Sequence, residues 1–186
     1  YWSAVQRKTR ERQVKAESAR RAERFTAENS GDLLNYFLRR VPDREDAADL
    51  LAETLLVMWK RIRHMPSDDA EARPWLFGVA RRVLSHYHRA GVRRQRLADS
   101  LRAQVAAAGQ LTVPSAEARV EVQGLLAQLT EKDREIVLLH AWEGFTHEEI
   151  ASIVGMKAAS VRSRYARARS QLVSNLSKES QSASGP

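Results

Sequence analysis

Apolar residues along this chain recur at helical intervals almost from end to end. Leu33, Leu34, Phe37, Leu38 and Val41 form one stripe that stops at Pro42, the three- and four-residue spacing of a helix face. The next helix starts at Asp43, and the acids Glu45, Asp46 and Asp49 suit its positive N-terminal end. Leu51, Leu55, Met58 and Ile62 are its expected inward stripe. A loop over residues 64–69 (H-M-P-S-D-D) then leads to Pro74, read as a first-turn residue. Trp75, Val79, Val83 and Tyr87 share one face of the helix that follows, so Trp75 is expected in the core. Residues 98–116 are alanine-rich and carry Gly109, Gln110, Thr112 and Pro114, the pattern of a flexible linker. Beyond it, Val120, Val122, Leu125, Leu126 and Leu129 precede Thr130, and a helix from Glu131 carries Ile136, Val137, Leu139 and His140 toward Gly144. No stretch alternates as a half-buried strand would. The expected fold is all-α: two small helical domains joined by a flexible linker, the second containing a helix-turn-helix.

The helix-turn-helix is the most specific pattern. T-H-E-E at 146–149 is a capping box, in which Thr146 accepts from the Glu149 amide while the Glu149 carboxylate reaches back to the Thr146 amide. Phe145 and Ile150 stand at the positions of a hydrophobic staple. Ile150, Ala151, Ile153 and Val154 give the first helix its apolar face, and Gly155 sits where a left-handed exit is needed. From about Ala158 a second helix puts Val161, Tyr165, Ala168 and Leu172 on one side, leaving Arg162, Ser163, Ala166, Arg167 and Ser170 outward. Five Lys or Arg residues and no acid lie between 157 and 172. A cationic helix behind a capped helix and a short glycine turn fits a DNA major groove.

Charge extends this reading. With 31 Lys and Arg against 23 Asp and Glu, the formal net charge is +8, which favours a polyanionic partner, nucleic acid first. Residues 1–24 hold eight basic and three acidic residues and are polar nearly all round, as a solvent-facing helix or a frayed arm would be. A hydrophobic content of 43% suffices for real cores. No run approaches the ~20 apolar residues of a membrane span, and no apolar signal core opens the chain. The expected location is therefore cytoplasmic, without membrane insertion. The lack of cysteine excludes disulfides and thiolate chemistry. His86 and His88 diverge on a helix and lack a third ligand, so no metal or other cofactor is expected. Residues 176–186 (L-S-K-E-S-Q-S-A-S-G-P) read as a disordered tail.

Two segments, D-A-A-D-L-L-A-E-T-L-L-V-M-W-K-R (46–61) with R-P-W-L-F-G-V-A-R-R-V-L (73–84), and L-T-E-K-D-R-E-I-V-L-L-H (129–140) with the helix-turn-helix, resemble a bacterial sigma factor. The absence of further domains points to the compact extracytoplasmic-function class. The resemblance implies a division into a basic arm (1–24), a polymerase-binding and −10-recognising domain (25–97), a linker (98–116), a −35-recognising domain (117–175) and a tail. In such factors the acidic helix docks on the clamp helices of the largest subunit of core RNA polymerase, here through Asp46, Asp49, Leu50 and Glu53. The following loop and helix recognise the −10 element and help melt it, which falls on His64, Arg73, Arg81, Arg82, Ser85, His86 and Arg89, with Arg93, Arg94 and Arg96 as a further phosphate cluster. The second domain reads the −35 element through Lys157, Ser160, Arg162, Ser163, Ala166 and Arg167. The implied partners are core polymerase and promoter DNA, and activity in this class is usually gated by a partner, often an anti-sigma factor.

Two other classes compete. A dimeric helix-turn-helix regulator accounts for the second domain equally well, but leaves the acidic helix and W-L-F-G-V-A-R-R unexplained. An enzyme on nucleic acid is disfavoured because no paired-acid, H-x-x-x-H, Gly-rich or G-x-S-x-G arrangement is present.

Overall fold

The computed structural model describes residues 2–105, 124 and 126–182, and all regular structure within them is helical. Six α-helices are described: α1 (Trp2–Leu38), α2 (Arg44–Lys60), α3 (Asp69–Val105), α4 (Glu131–Ala141), α5 (His147–Val154) and α6 (Ala158–Ser182), with a 3₁₀ turn at Ile62–His64. They fall into two compact units, Tyr1–His88 and Arg89–Pro186. No described helix is long and apolar enough to cross a membrane.

In the first unit, local chemistry sets the helix ends. Arg40 and Val41 both donate to the Phe37 carbonyl before Pro42 stops α1. Asp43 then caps α2, its carboxylate accepting from Glu45 N at 2.8 Å. The core joins Phe25, Leu33, Tyr36 and Phe37 of α1 to Leu50 and Met58 of α2 and to Leu76, Phe77 and Val83 of α3. Tyr36 meets the rings of Phe37 and Phe77 edge-on at 5.2 and 5.5 Å. Each such side chain contributes about 1.5–3 kcal/mol by leaving water. Trp75 is half-buried at the margin of this core.

Four expectations are corrected here. The inward face of α2 is Ala47, Leu50, Thr54 and Met58, with Leu51 and Leu55 half-buried beside it. Thr54 enters the core because its hydroxyl donates to the Leu50 carbonyl at 2.7 Å, which satisfies the polar group that burial would otherwise penalise. Helix α3 begins five residues before Pro74: Asp68 accepts from Ala70 N through its side chain and from Ala72 N through its carbonyl. Pro74 therefore lies inside the helix, buried, and forgoes one backbone donor. Helix α3 also runs to Val105, into the stretch read as linker, since no glycine or proline interrupts residues 92–105; the rest of that stretch, residues 106–116, lies outside the described residues. Finally, residues 176–182, read as disordered, continue α6. The next breaker is Gly185, and extending an existing helix is far easier than nucleating one.

The second unit buries Ile136 and Leu139 of α4, Phe145 before α5, Ile150 and Ile153 of α5, and Val161 and Ala168 of α6. Leu129, Val137 and Ala168 form a cluster against which Leu126, Tyr165 and Leu172 pack.

Candidate nucleic-acid interface

Helix α6 owes its position to the turn before it. Thr146 Oγ1 accepts from Glu149 N at 3.2 Å and Glu149 Oε2 accepts from Thr146 N at 2.7 Å, so both halves of the capping box are made. Phe145 and Ile150 are fully buried as the staple requires. Helix α5 ends at Gly155 with φ 70 and ψ 44, a left-handed exit, and the Met156 amide donates to the Ala151 carbonyl at 3.0 Å. The carbonyl of Lys157 then accepts from Ser160 and Val161, closing the first turn of α6.

Helix α6 is rotated so that Val161 and Ala168 face the core. Ser160, Arg162, Ser163, Ala166 and Arg167 are all exposed, on the other half of the helix, and Lys157 is exposed just before it begins. The arginines are not equivalent. Arg164 donates to Asp133 Oδ1 at 2.8 Å and locks α6 to the first turn of α4. Asp133 also accepts from the Thr130 hydroxyl at 2.6 Å. Burial pushes the Asp133 carboxyl upward, but the hydrogen bonds from Thr130 and Arg164 and the fields of Arg164 and Arg167 outweigh it, so its pKa lies below the ordinary 3.8. Arg162 reaches across to Glu148 on α5, Nη1 to Oε1 2.7 Å, with the two side chains 54% and 65% exposed.

Behind this face lies a cluster that no sequence pattern announced. His140 and His147 stack at 4.9 Å, and Tyr165 meets them at 4.6 and 5.1 Å, joining α4, α5 and α6. His140 Nδ1 lies 2.9 Å from the Phe145 carbonyl, which fixes the loop before the capping box. His147 Nε2 is buried without a hydrogen-bond partner among the described residues, so His147 contributes by ring contact. The only sequence signal was a histidine at each end of a loop.

On α3, Arg82, Ser85, His86 and Arg89 follow one another along one side, with Arg82, His86 and Arg89 exposed. The Ser85 hydroxyl donates to the Arg81 carbonyl at 2.9 Å, and Arg81 is half-buried. His64 is exposed at the end of the 3₁₀ turn. Arg73 is drawn into the fold: it pairs with Asp32 at 3.1 Å and lies 5.2 Å from the centre of the Phe77 ring. The side chains of Arg93, Arg94 and Arg96 lie outside the described residues.

On α2 the expected contact set divides. Asp49 and Glu53 are exposed one turn apart. Asp46 accepts from the Tyr87 hydroxyl at 2.6 Å and ties α2 to α3. Leu50 is only 3% exposed and belongs to the core, which corrects its reading as a surface contact. The exposed apolar side chains are instead Leu56 and Trp59, at 59% and 36%. Both lay off the inward leucine stripe, and that was the available sign. Among the described residues no group of three His, Cys, Asp or Glu side chains is placed to hold a metal ion.

Comparison with known proteins gives the same two-part division. Residues 25–96 match the Sigma-70 region 2 family and residues 119–172 match Sigma-70, region 4. The extracytoplasmic-function (ECF) RNA polymerase sigma factor SigC of Mycobacterium tuberculosis is 32% identical over 141 residues, 75% of each chain. SigM of Bacillus subtilis is 28% identical over 145 residues, 76% of this chain and 86% of that one. Two solved structures share the fold: the sigma factor RpoE of Bartonella quintana with the anti-sigma factor NepR (TM-score 0.61, 23% identity, covering 83% and 96% of the two chains), and CnrH with the cytosolic domain of CnrY (0.61, 22%, 88% and 94%).

Proposed function

Because the chain belongs to the extracytoplasmic-function class of sigma-70 factors and so directs RNA polymerase to promoters, we propose that its two units divide that work by promoter element. The observation that carries this reading is the exposed half of α6. Ser160, Arg162, Ser163, Ala166 and Arg167 stand on a helix, with Lys157 just before it, whose angle is set by the capping box, the Gly155 exit and the Arg164–Asp133 bond. We assign this face to the major groove of the −35 element. An arginine bidentate to guanine contributes ~1–3 kcal/mol of base discrimination, whereas one on phosphate contributes affinity and salt dependence.

The −10 element falls to the α3 side that carries Arg82, Ser85, His86 and Arg89, together with His64, Arg81 and Arg73, the last of them paired with Asp32. The polymerase surface is the outer face of α2. Asp49 and Glu53 supply its charge, and Leu56 and Trp59 supply the apolar area expected of an interface centre. A basic helical hairpin, as the clamp helices of the largest subunit would offer, complements that mixture. Asp46 acts through Tyr87, by holding α2 in place.

The chain works in the cytoplasm, where its polymerase and promoters are, and catalyses no step itself. One solved relative is bound to an anti-sigma factor and the other to a cytosolic domain; we take this chain to be gated by a partner of that kind. The dimeric-regulator reading finds no support among the relatives.

The test is promoter-directed transcription with purified chain and core RNA polymerase on genomic fragments, with RNA starts mapped. Discrete starts sharing two upstream motifs, lost in the Arg162→Ala, Arg167→Ala double variant, are expected. DNA binding as a dimer without a polymerase complex would overturn the assignment.

A further inference from the structure

We propose that the amino-terminal stretch of α1 is a phosphate-binding arm, which adds a sequence-independent contact between this sigma factor and the backbone of promoter DNA. The inference rests on the reading of the first unit as promoter-facing and goes beyond it, because residues 1–24 lie outside both family matches.

Charge is the first argument. Eight basic and three acidic residues give residues 1–24 a net of five positive charges out of the chain's eight. Among the described cations of this stretch, Arg21 alone is drawn toward the fold, by Asp69. No side chain described before Ala22 is buried, and Arg7, Arg10, Arg20 and Arg24 are all exposed. Arg10 and Arg24 stand fourteen residues apart, close to four full turns, and Arg20 precedes Arg24 by one turn, so the three share one side of α1. They span ~21 Å along the axis, over which a DNA duplex presents on the order of twelve phosphates.

Position is the second argument. Arg21 Nη2 donates to Asp69 Oδ1 at 2.5 Å, and Asp32 of α1 accepts from Arg73. Helix α1 is therefore fastened to the first turns of α3 at Arg21 and Asp32. The arm is continuous with α1, with no glycine or proline before Gly31, and so is carried as one helix on the unit assigned to the −10 element.

The pattern also selects the partner. A helix that docks on protein or lies in a membrane surface shows an apolar stripe. Residues 3–21 offer only alanines and two valines among polar residues. Charge that wraps a polar helix suits a polyelectrolyte, and acts on affinity and salt dependence while leaving sequence choice alone.

The test uses the full chain carrying Arg10→Gln, Arg20→Gln and Arg24→Gln, changes at exposed positions to another good helix former. Promoter binding by the reconstituted holoenzyme is measured between about 50 and 200 mM salt. The plot of log Kobs against log salt is expected to become shallower by ~0.9 for each phosphate no longer neutralised, up to ~2.7 for three, with RNA starts and core-polymerase affinity unchanged. The matching Arg→Lys triple variant should keep the original slope. An unchanged slope in the Gln variant, with normal promoter selection, would overturn the arm while leaving the promoter assignment standing. Weakened polymerase binding at an unchanged slope would also overturn it, by making the arm's partner a protein. Should the unsubstituted chain select no promoter, the assignment itself fails. The same slope comparison with chain alone on a short non-promoter duplex then decides the arm.

Discussion

Gly155→Ala isolates the backbone's share in presenting α6. Gly155 has φ +70, and a Cβ built there meets nothing within 4 Å. The substitution therefore adds no clash, and its cost is the left-handed conformation alone, ~1–2 kcal/mol for an L-residue. The turn has little means of escape. The Gly155 and Met156 amides both donate to the Ala151 carbonyl, Ile150 and Ile153 are buried on one side, and Val161 is buried on the other. Relaxing φ would break those bonds or withdraw those side chains. Hydrogen exchange reads the cost directly, because amides protected by the α5–α6 packing exchange through opening of that unit. A loss of ~1–2 kcal/mol accelerates them roughly 5- to 30-fold, while amides of α1 and α2 keep their rates. Gly155→Asn should lose less, since asparagine tolerates the left-handed region better. Gly144, at φ +73 with the same open surroundings, provides a replicate at the other end of α5. Unaltered exchange in both alanine variants would refute the argument, because the left-handed geometry would then not be holding the turn.

Three further outcomes follow from other contacts. The folded Asp133 carboxyl titrates below its ordinary 3.8, so the unfolded chain binds more protons just under that value. The stability it contributes is present above about pH 4 and is lost as pH falls through the folded value; Asp133→Asn should flatten that acid limb in urea midpoints, and an equal limb in both proteins would count against the bond to Arg164. Leu56→Ala, at an exposed position, should leave stability within about 0.5 kcal/mol while weakening polymerase binding, whereas Leu50→Ala should cost about 2–5 kcal/mol of stability as a core truncation; equal binding by Leu56→Ala and the parent would remove Leu56 from the interface. Glu148→Gln should tighten binding to non-promoter DNA more than to promoter DNA, a difference read by competition at fixed salt.

How far the sequence told this in advance depended on the range of each interaction. The capping box, the staple and Gly155 were legible because they lie within about ten residues and each needs a particular side chain at a particular place. The register of α2 was misjudged by one position because Thr54 counts as polar until its hydroxyl finds the Leu50 carbonyl, a bond that exists only once the helix forms. Leu50 as a surface contact comes from the family resemblance, and with the register shifted by one position nothing contradicts it; Leu56 and Trp59 fall outside both signals. Within α6 the cations between 157 and 172 look alike in sequence. What turns Arg164 inward is Asp133, 31 residues upstream. Arg73 is likewise claimed by Asp32 and Arg21 by Asp69, 41 and 48 residues apart. Pairings at that separation are set by the assembled helices, and no local pattern announces them.

Arg164 and Arg162 of α6 are held by their carboxylates with very different strength. Arg164 shares Asp133 with Thr130 in a half-buried setting, and breaking that bond would strand a charge-assisted acceptor in the fold. Arg162 and Glu148 are both largely in water, where such a pair contributes only ~0–1 kcal/mol. Releasing Arg162 therefore costs little against the ~1–3 kcal/mol that a bidentate guanine contact returns. A phosphate returns less: it replaces one exposed anion with another and brings Glu148 close to the backbone charge. On the proposed −35 assignment the pair would disfavour phosphate contacts more than a bidentate base contact, which makes a carboxylate beside the groove compatible with selective binding. Glu149, one residue on, is occupied by the cap. Adjacent glutamates at the start of α5 so serve different ends, one fixing where the helix begins and the other, on the proposed −35 assignment, setting how readily Arg162 is released to DNA.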